Sequence, residues 1–192
     1  MSSGLAQCSD RDLAAFALAG RQDAYREFLA RHKIPVFRLI RSHVGDSEEA
    51  MDLTQEAFVS GFAALSRYDG ERPFRIWISR IAINKCRDWA RRRAVRAFFS
   101  RARPLDEAVH VAAGEPAPDA EVGDREQLAR VRQAISALPQ KLREVLILRG
   151  VEELGQAETA ELLGISEKAV ETRLYRARAK LRALLGDDSE IL

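Results

Sequence analysis

The sequence predicts an all-α chain, two small helical domains joined by a flexible linker, with a helix-turn-helix in the C-terminal domain. Three observations carry that prediction. The 192 residues include only 11 glycines and 6 prolines, while the helix formers Ala, Leu, Arg and Glu dominate. Apolar residues recur three and four positions apart along most of the chain, the spacing that lines one side of a helix. From roughly Arg96 to Gly123 that periodicity is lost, and Gly114-Glu115-Pro116-Ala117-Pro118-Asp119 is turn-rich, acidic and poor in large apolar residues. The expected division is therefore a domain over residues 1–97, a linker over 98–123 and a second domain over 124–192.

In chain order, Asp10 is placed to cap a first helix running to Gly20, and Asp23 to cap a second carrying Tyr25, Phe28 and Leu29. Pro35 predicts a kink or break before Phe37, Leu39 and Ile40, because it lacks the N–H of the helical ladder. Ser47 caps the next helix, with Glu48 and Glu49 in its first turn, where acids suit the helix dipole. There Met51, Phe58, Phe62 and Leu65 form an expected core stripe, while Asp52, Gln55, Glu56 and Val59 share another face. Tyr68 to Pro73 reads as a loop with a proline opening the following helix. That helix directs Phe74, Trp77, Ile78, Ile81, Ala82 and Trp89 to a core and Arg80, Asn84, Arg87 and Arg91 outward.

After the linker, Asp124 with Gln127 three residues on fits a capping box ahead of Leu128, Val131, Ile135 and Leu138. Pro139 restarts a helix bearing Leu142, Val145, Leu146 and Leu148, which ends at Gly150. The stretch Gln156–Leu181 has the form of a helix-turn-helix. Ala160 lets two helices approach, Gly164 accepts the left-handed turn, and Val170 anchors the second helix to the first. Ser166 is the expected cap of that second helix, whose early positions Glu167, Lys168, Glu171, Thr172 and Arg173 would face a major groove. Arg176, Arg178, Lys180 and Arg182 would extend the surface to phosphates. A helical hairpin with a solvated basic face is the plainer reading of the same spacing.

Charge supports the nucleic-acid reading, although the net value is only +2. From Arg72 to Arg103 eleven Lys and Arg residues face one acid, Asp88, for a local charge of +10. Pro104 to Leu128 carries −6, and Ser166 to Arg182 carries +4. Two segments drawn to polyanions flank an acidic one.

At these residues the chain resembles the sigma factors of bacterial RNA polymerase, specifically the extracytoplasmic-function group. Asp52-Leu53-Thr54-Gln55-Glu56-Ala57-Phe58 is similar to region 2.2 of that family. Phe74, Trp77, Ile81-Ala82, Asn84, Asp88 and Arg91 are similar to regions 2.3 and 2.4. Leu138-Pro139, Arg143, Glu158, Ala160, Leu163-Gly164-Ile165-Ser166, Val170, Arg173-Leu174 and Arg176-Ala177-Arg178 are similar to region 4. Departures are Thr159 in place of the usual aliphatic residue, Ala169 where a threonine is common, and the Glu171-Thr172 pair.

The resemblance implies that Asp52, Gln55, Glu56 and Val59 dock on the clamp coiled coil of the polymerase largest subunit, with region 4 on the beta flap. It implies capture of the melted −10 strand by Tyr68, Arg75, Arg80, Asn84, Lys85, Arg87 and Arg91, and reading of −35 duplex by Ser166, Glu167, Lys168, Glu171, Thr172, Arg173, Arg176, Arg178 and Lys180. Tyr68 is the better stacking candidate, since the spacing of Trp77 and Trp89 with Ile78 and Ile81 suits core packing. The acidity of the linker suits a path through the basic RNA-exit region of the polymerase. A separate anti-sigma factor, and a role in a stress, envelope or metal response, also come from the resemblance. The Phe74–Arg93 block and the Lys168-Ala169-Val170-Glu171 run bear a faint similarity to sigma factors of metal-resistance systems.

A helix-turn-helix regulator outside the sigma family explains the C-terminal half and leaves the Asp52–Phe58 string unaccounted for. Catalysis finds no support: His32, His43 and His110 stand apart, and neither a nucleophile triad nor a phosphate-cradling glycine loop is legible. No cofactor or metal site is expected. Cys8 and Cys86 lie outside any CxxC, so no disulfide framework is expected. No run approaches the roughly 18–20 apolar residues of a membrane span, and no leader is legible, so the expected compartment is the cytoplasm and no membrane insertion is expected.

Overall fold

The computed structural model describes residues 5–101 and 122–186, and among these the chain forms eight α-helices and no strand. They are α1 (Asp10–Leu18), α2 (Gln22–Val44), α3 (Ser47–Ala63), α4 (Phe74–Arg101), α5 (Val122–Ala137), α6 (Gln140–Gly150), α7 (Gln156–Leu163) and α8 (Glu167–Leu185), with a 3₁₀ turn over Leu65–Arg67. The chain forms two compact units. The first takes the residues up to Ile40 and from Glu48 through α4; the second takes Arg41–Ser47 and the helices α5 to α8. α4 runs four residues into the segment expected as linker, and most of that segment, with His110, lies outside the described residues.

Several helix ends differ from expectation. Ser9, not Asp10, caps α1: its Oγ accepts the Asp12 N–H at 3.1 Å, and Asp10 is already helical. Asp23 falls inside α2, where its Oδ1 accepts the Ala24 N–H at 3.1 Å. α2 passes through Pro35 without a break. Phe28 before the proline and Val36, Leu39 and Ile40 after it are all buried, so packing holds both halves in line despite the missing hydrogen bond. Asp124 lies within α5 rather than ahead of it, and Pro139 takes the N-cap position of α6.

In the first unit the core is aromatic. Phe28 stacks on Phe74 with ring centroids 4.2 Å apart, Tyr25 meets Phe62 edge-on at 4.8 Å, and Phe58 and Trp77 close the cluster. The expected stripe of α3 is corrected at Met51, which is 37% exposed. Small residues take its place: Ala50, Ala57 and Gly61 are buried with Leu53, Thr54 and Phe58. The reason is close approach, since a Cβ at Gly61 would lie 2.7 Å from Ile78 Cδ1 of α4. Apolar periodicity overlooks this because a small residue at a tight helix crossing carries no hydrophobic signal.

α4 is buried around more of its circumference than its outward stripe suggested. Besides Phe74, Ile78, Ala82 and Trp89, the residues Ile76, Ser79, Ile83 and Cys86 are buried, whereas every residue from Arg91 to Phe99 is exposed. In the second unit α8 packs on α5, α6 and α7. Ala134, Leu138, Leu146, Ala177 and Leu181 form the core, with Ile135, Leu142, Leu174 and Leu185 at its edge. Leu128, expected in that stripe, is 48% exposed. It stands nearly two turns before Ala134, where the described burial of α5 begins.

Candidate nucleic-acid interface

The turn between α7 and α8 shows how the second unit presents a helix. Gly164 ends α7 with φ +66 and ψ 41, the left-handed conformation that costs an L-residue a clash of Cβ with backbone. The chain then extends through Ser166, whose Oγ accepts the Ala169 N–H at 3.2 Å and starts α8. Ala160 and Val170 are buried at the crossing. Thr159 is also buried, and its hydroxyl donates to the Gly155 carbonyl at 2.8 Å, so a polar atom in an apolar position is satisfied locally.

Ser166, Lys168, Ala169, Thr172, Arg173 and Arg176 line one open depression on the surface of α8. Thr172 donates to the Lys168 carbonyl at 2.8 Å, and Lys168 Nζ pairs with Glu171 Oε2 at 2.8 Å. That pair partly cancels the two charges at the start of the helix, leaving Arg173 and Arg176 to set its sign. Lys180, four residues past Arg176, continues the same flank. Arg178 does not: at about 100° per residue it stands about 140° around the helix from Arg173, on the flank of Glu171. Glu167 is exposed at the first position, and its carbonyl accepts from Gln156 Nε2 at 3.3 Å, tying the start of α8 to α7.

One exposed aromatic residue of α8 escaped the sequence reading, on the flank of Glu171 and Arg178 rather than that of Arg173. Tyr175 is 76% exposed, about 40° around α8 from Glu171. The available signal was an aromatic residue inside a basic helix with no apolar partner three or four positions N-terminal to it.

In the first unit Arg80, Asn84, Arg87 and Arg91 share one stripe of α4 by their spacing of four, three and four. Arg87 Nη1 donates to Asn84 Oδ1 at 3.3 Å, and Arg91 pairs with Asp88. Arg75 is nine residues before Asn84, about 180° around the helix, and is half-buried, so the structure does not bring it onto that stripe. Lys85 is half-buried as well, and its Nζ lies 3.4 Å from Glu56 Oε2 on α3. Two residues assigned by sequence to different surfaces are thus partners. Asp52, Gln55, Glu56 and Val59 are all exposed on α3, with Val59 at 69%.

Tyr68 sits in the loop before α4, half-buried, its ring 5.4 Å from Phe74 edge-on and 5.5 Å from Trp77. Its hydroxyl donates to the Arg72 carbonyl at 2.5 Å and bridges the loop. Burial pushes this phenol up to about 12, with the charges of Asp10 and Asp69 adding to the shift. It therefore serves as a neutral ring and hydrogen-bond donor at any pH the protein meets. Trp89 is no stacking platform: it is buried, donates its Nε1–H to Glu49 Oε2 at 2.9 Å and lies under the Arg93 guanidinium at 5.2 Å.

Among the described residues no group of His, Cys, Asp and Glu is placed to hold a metal ion, and no helix is long and apolar enough to cross a membrane. Cys8 and Cys86 are not joined in a disulfide.

Comparison with known proteins follows the same division. Residues 28–96 match the family described as Sigma-70 region 2, and residues 128–181 match Sigma-70, region 4. Over 185 residues, 95% of this chain and 97% of the other, the sequence is 43% identical to the RNA polymerase sigma factor CnrH of Cupriavidus metallidurans. Over 172 residues, 88% of this chain and 92% of the other, it is 31% identical to the ECF RNA polymerase sigma factor SigW of Bacillus subtilis. The solved structure of CnrH in complex with the cytosolic domain of CnrY aligns with a TM-score of 0.67 at 37% identity, covering 94% of this chain and 99% of that one.

Proposed function

The chain belongs to the sigma-70 family of RNA polymerase sigma factors, in its extracytoplasmic-function group, and on that premise we propose how its surfaces divide the work of starting transcription. As a sigma factor it binds core RNA polymerase and directs promoter-specific initiation; it is an initiation factor. Its place of work is then the bacterial cytoplasm, where polymerase and promoter DNA meet. We assign residues 1–97 to polymerase binding and the −10 element, 98–123 to the connection, and 124–192 to the −35 element.

The observation that carries this reading is α8. A capped helix projects from a left-handed glycine turn, with Ser166, Lys168, Thr172, Arg173 and Arg176 around one open depression. A helix so presented suits a major groove, its early residues on base edges and Arg176 and Lys180 on phosphates. On the first unit, Arg80, Asn84, Arg87 and Arg91 form the rail along which a melted strand would lie, with Tyr68 at its loop end. The α3 face of Asp52, Gln55, Glu56 and Val59 is assigned to the clamp coiled coil, and the exposed Val59 gives that contact an apolar centre. Glu56, already paired with Lys85, ties the polymerase face of α3 to α4.

Joining two promoter contacts in one chain raises the effective concentration of the second once the first is made. Regulation by a separate anti-sigma factor follows from CnrH, which is 37% identical in the solved complex and is bound there to the cytosolic domain of CnrY. The test is reconstituted run-off transcription. Core polymerase with this chain should give transcripts from promoters that core polymerase alone ignores, and Asp52→Arg or Val59→Asp should abolish them on every promoter alike. Transcripts that form equally without the chain would remove the assignment.

A further inference from the structure

The N-terminal turn and α1 belong to none of the surfaces assigned above, yet they are tied both to the body of the first unit and to the loop 68–73. Arg31 of α2 makes the first tie. Its Nη2 donates to the carbonyls of Leu5 at 2.7 Å and Ala6 at 2.9 Å, and its Nη1 to the Cys8 carbonyl at 2.8 Å and Asp10 Oδ1 at 3.1 Å. Its Nε donates to Glu27 Oε1 at 2.8 Å, which fixes the guanidinium itself. Asp10 Oδ2 also lies 3.2 Å from His32 Nε2. With Leu13, Ala14 and Ala17 buried beneath it, α1 is a fixed element, and it packs on the 3₁₀ turn that leads into the loop.

Arg11 of α1 makes the second tie. A Cβ at Gly70 would lie 2.7 Å from Arg11 Cγ and 3.1 Å from Arg11 Cβ. Turning χ1 would move Cγ but leave Cβ in place, so a larger residue at 70 would displace the Arg11 stem and press on α1 itself. Gly70 has no positive φ, and the glycine therefore serves the approach of α1 rather than the turn of the chain. Beyond that contact the Arg11 guanidinium pairs with Glu71. Within the loop, Asp69 Oδ1 accepts the Glu71 N–H at 3.1 Å and the Asp69 carbonyl accepts the Arg72 N–H at 3.1 Å. An exposed ion pair adds little stability, so what the Arg11 contact supplies is geometry.

We propose that Arg11 and Gly70 are positioning residues for strand capture, with α1 as the brace that holds the loop 68–73 in the shape that receives an extruded nucleobase. The proposal rests on the assignment of this loop to the −10 strand. Arg11 touches no DNA in it; it acts through Gly70 and Glu71 on the backbone between Tyr68 and Pro73. It accounts for an arginine stem laid flat over a glycine that the turn does not need. It also accounts for the four contacts that Arg31 makes to the N-terminal turn and the first residue of α1.

The test uses the holoenzyme and a single-stranded oligonucleotide spanning the −10 element of a promoter it transcribes, with versions carrying an abasic site at each position in turn. Wild type should bind the intact strand about five-fold or more tightly than one abasic version, which marks the captured base. Arg11→Glu and Gly70→Ala should bring that ratio toward one while leaving affinity for the abasic strand near wild type, because the α4 rail is untouched. Arg11→Glu combined with Glu71→Arg should restore the ratio. An unchanged ratio in both single variants would overturn the proposal, as would an equal loss on intact and abasic strands, which would mean general damage to the unit. If wild type itself shows no abasic penalty, the loop assignment fails and the brace falls with it, an outcome distinct from the other two.

Discussion

Two glycines of the second unit allow backbone conformation to be separated from packing. Gly164 ends α7 at φ +66, and Gly150 is the last residue of α6 with no positive φ; a Cβ at either would meet nothing within 4 Å. Replacing each by alanine therefore adds no clash, and only two effects remain. Forcing an L-residue into the left-handed region costs about 1–2 kcal/mol. Removing glycine from the unfolded chain stabilises by about 0.4–1 kcal/mol. Gly164→Ala should lose about 1 kcal/mol net, whereas Gly150→Ala should gain about 0.5 kcal/mol. At about 4–8 °C per kcal/mol for a unit of this size, the two midpoints should differ by about 6–12 °C. Thermal unfolding of the intact chain by circular dichroism measures this, with hydrogen exchange of α7 and α8 identifying which transition belongs to the second unit. Gly164→Asn should fall between Gly164→Ala and wild type, because asparagine tolerates the left-handed region. A Gly164→Ala midpoint at or above wild type would refute the assignment of the turn, and so would equal losses in both alanine variants.

Other surfaces give sharper functional tests. The nearby His32, together with Arg31, holds the Asp10 carboxyl below its ordinary value against the opposing effect of burial. A lowered folded value means stability present above the unfolded value of about 3.9 and lost as pH falls through the folded one. Asp10→Asn should thus lower the urea midpoint at pH 7, with the difference from wild type shrinking below about pH 4. On the flanks of α8, Arg176→Ala and Lys180→Ala should each reduce the log–log salt slope of −35 binding by about one, and Arg178→Ala should change it less. Three equal reductions, read by holoenzyme binding to duplex at several salt concentrations, would contradict the flank assignment. Arg173→Ala should weaken transcription only where a −35 element is present, whereas Asn84→Ala should slow opening on promoters with and without one. Permanganate reactivity of the −10 strand separates the two.

What the sequence made legible was what repeats. Helix-turn-helix geometry rests on a few residues with single physical meanings, so Ala160, Gly164, Ser166 and Val170 could be read one by one, and the structure places each in its role. The burial of α4 could not be read that way. Ile76, Ser79, Ile83 and Cys86 are buried beside the expected stripe, and a helix wedged on several sides loses the single-sided periodicity on which the reading depends. Met51 and Leu128 fail for the opposite reason: both keep the period of the core at places where no neighbouring helix covers them. Pro35 shows tertiary contacts overruling a local rule. The Arg11–Gly70 contact lay beyond reach altogether, because nothing in the chain between residues 11 and 70 announces that they meet.

Charge illustrates the same limit from the functional side. The count of +10 between Arg72 and Arg103 treats each cation as equally open to phosphate. In the folded unit Lys85 faces Glu56, Arg91 faces Asp88, Arg87 holds Asn84, and Arg93 covers Trp89. These partners leave the net attraction for a polyanion largely in place but fix where the cations stand, which reduces the conformational freedom lost when a strand binds. If α4 carries the strand as proposed, cations pre-positioned in this way would discriminate a strand in the right path from one displaced by a nucleotide, whereas the same charges on free side chains would follow either. On the proposed assignment, the sum of charges bears on how strongly DNA would be drawn to this unit, and the internal pairs on where along α4 a strand would come to rest.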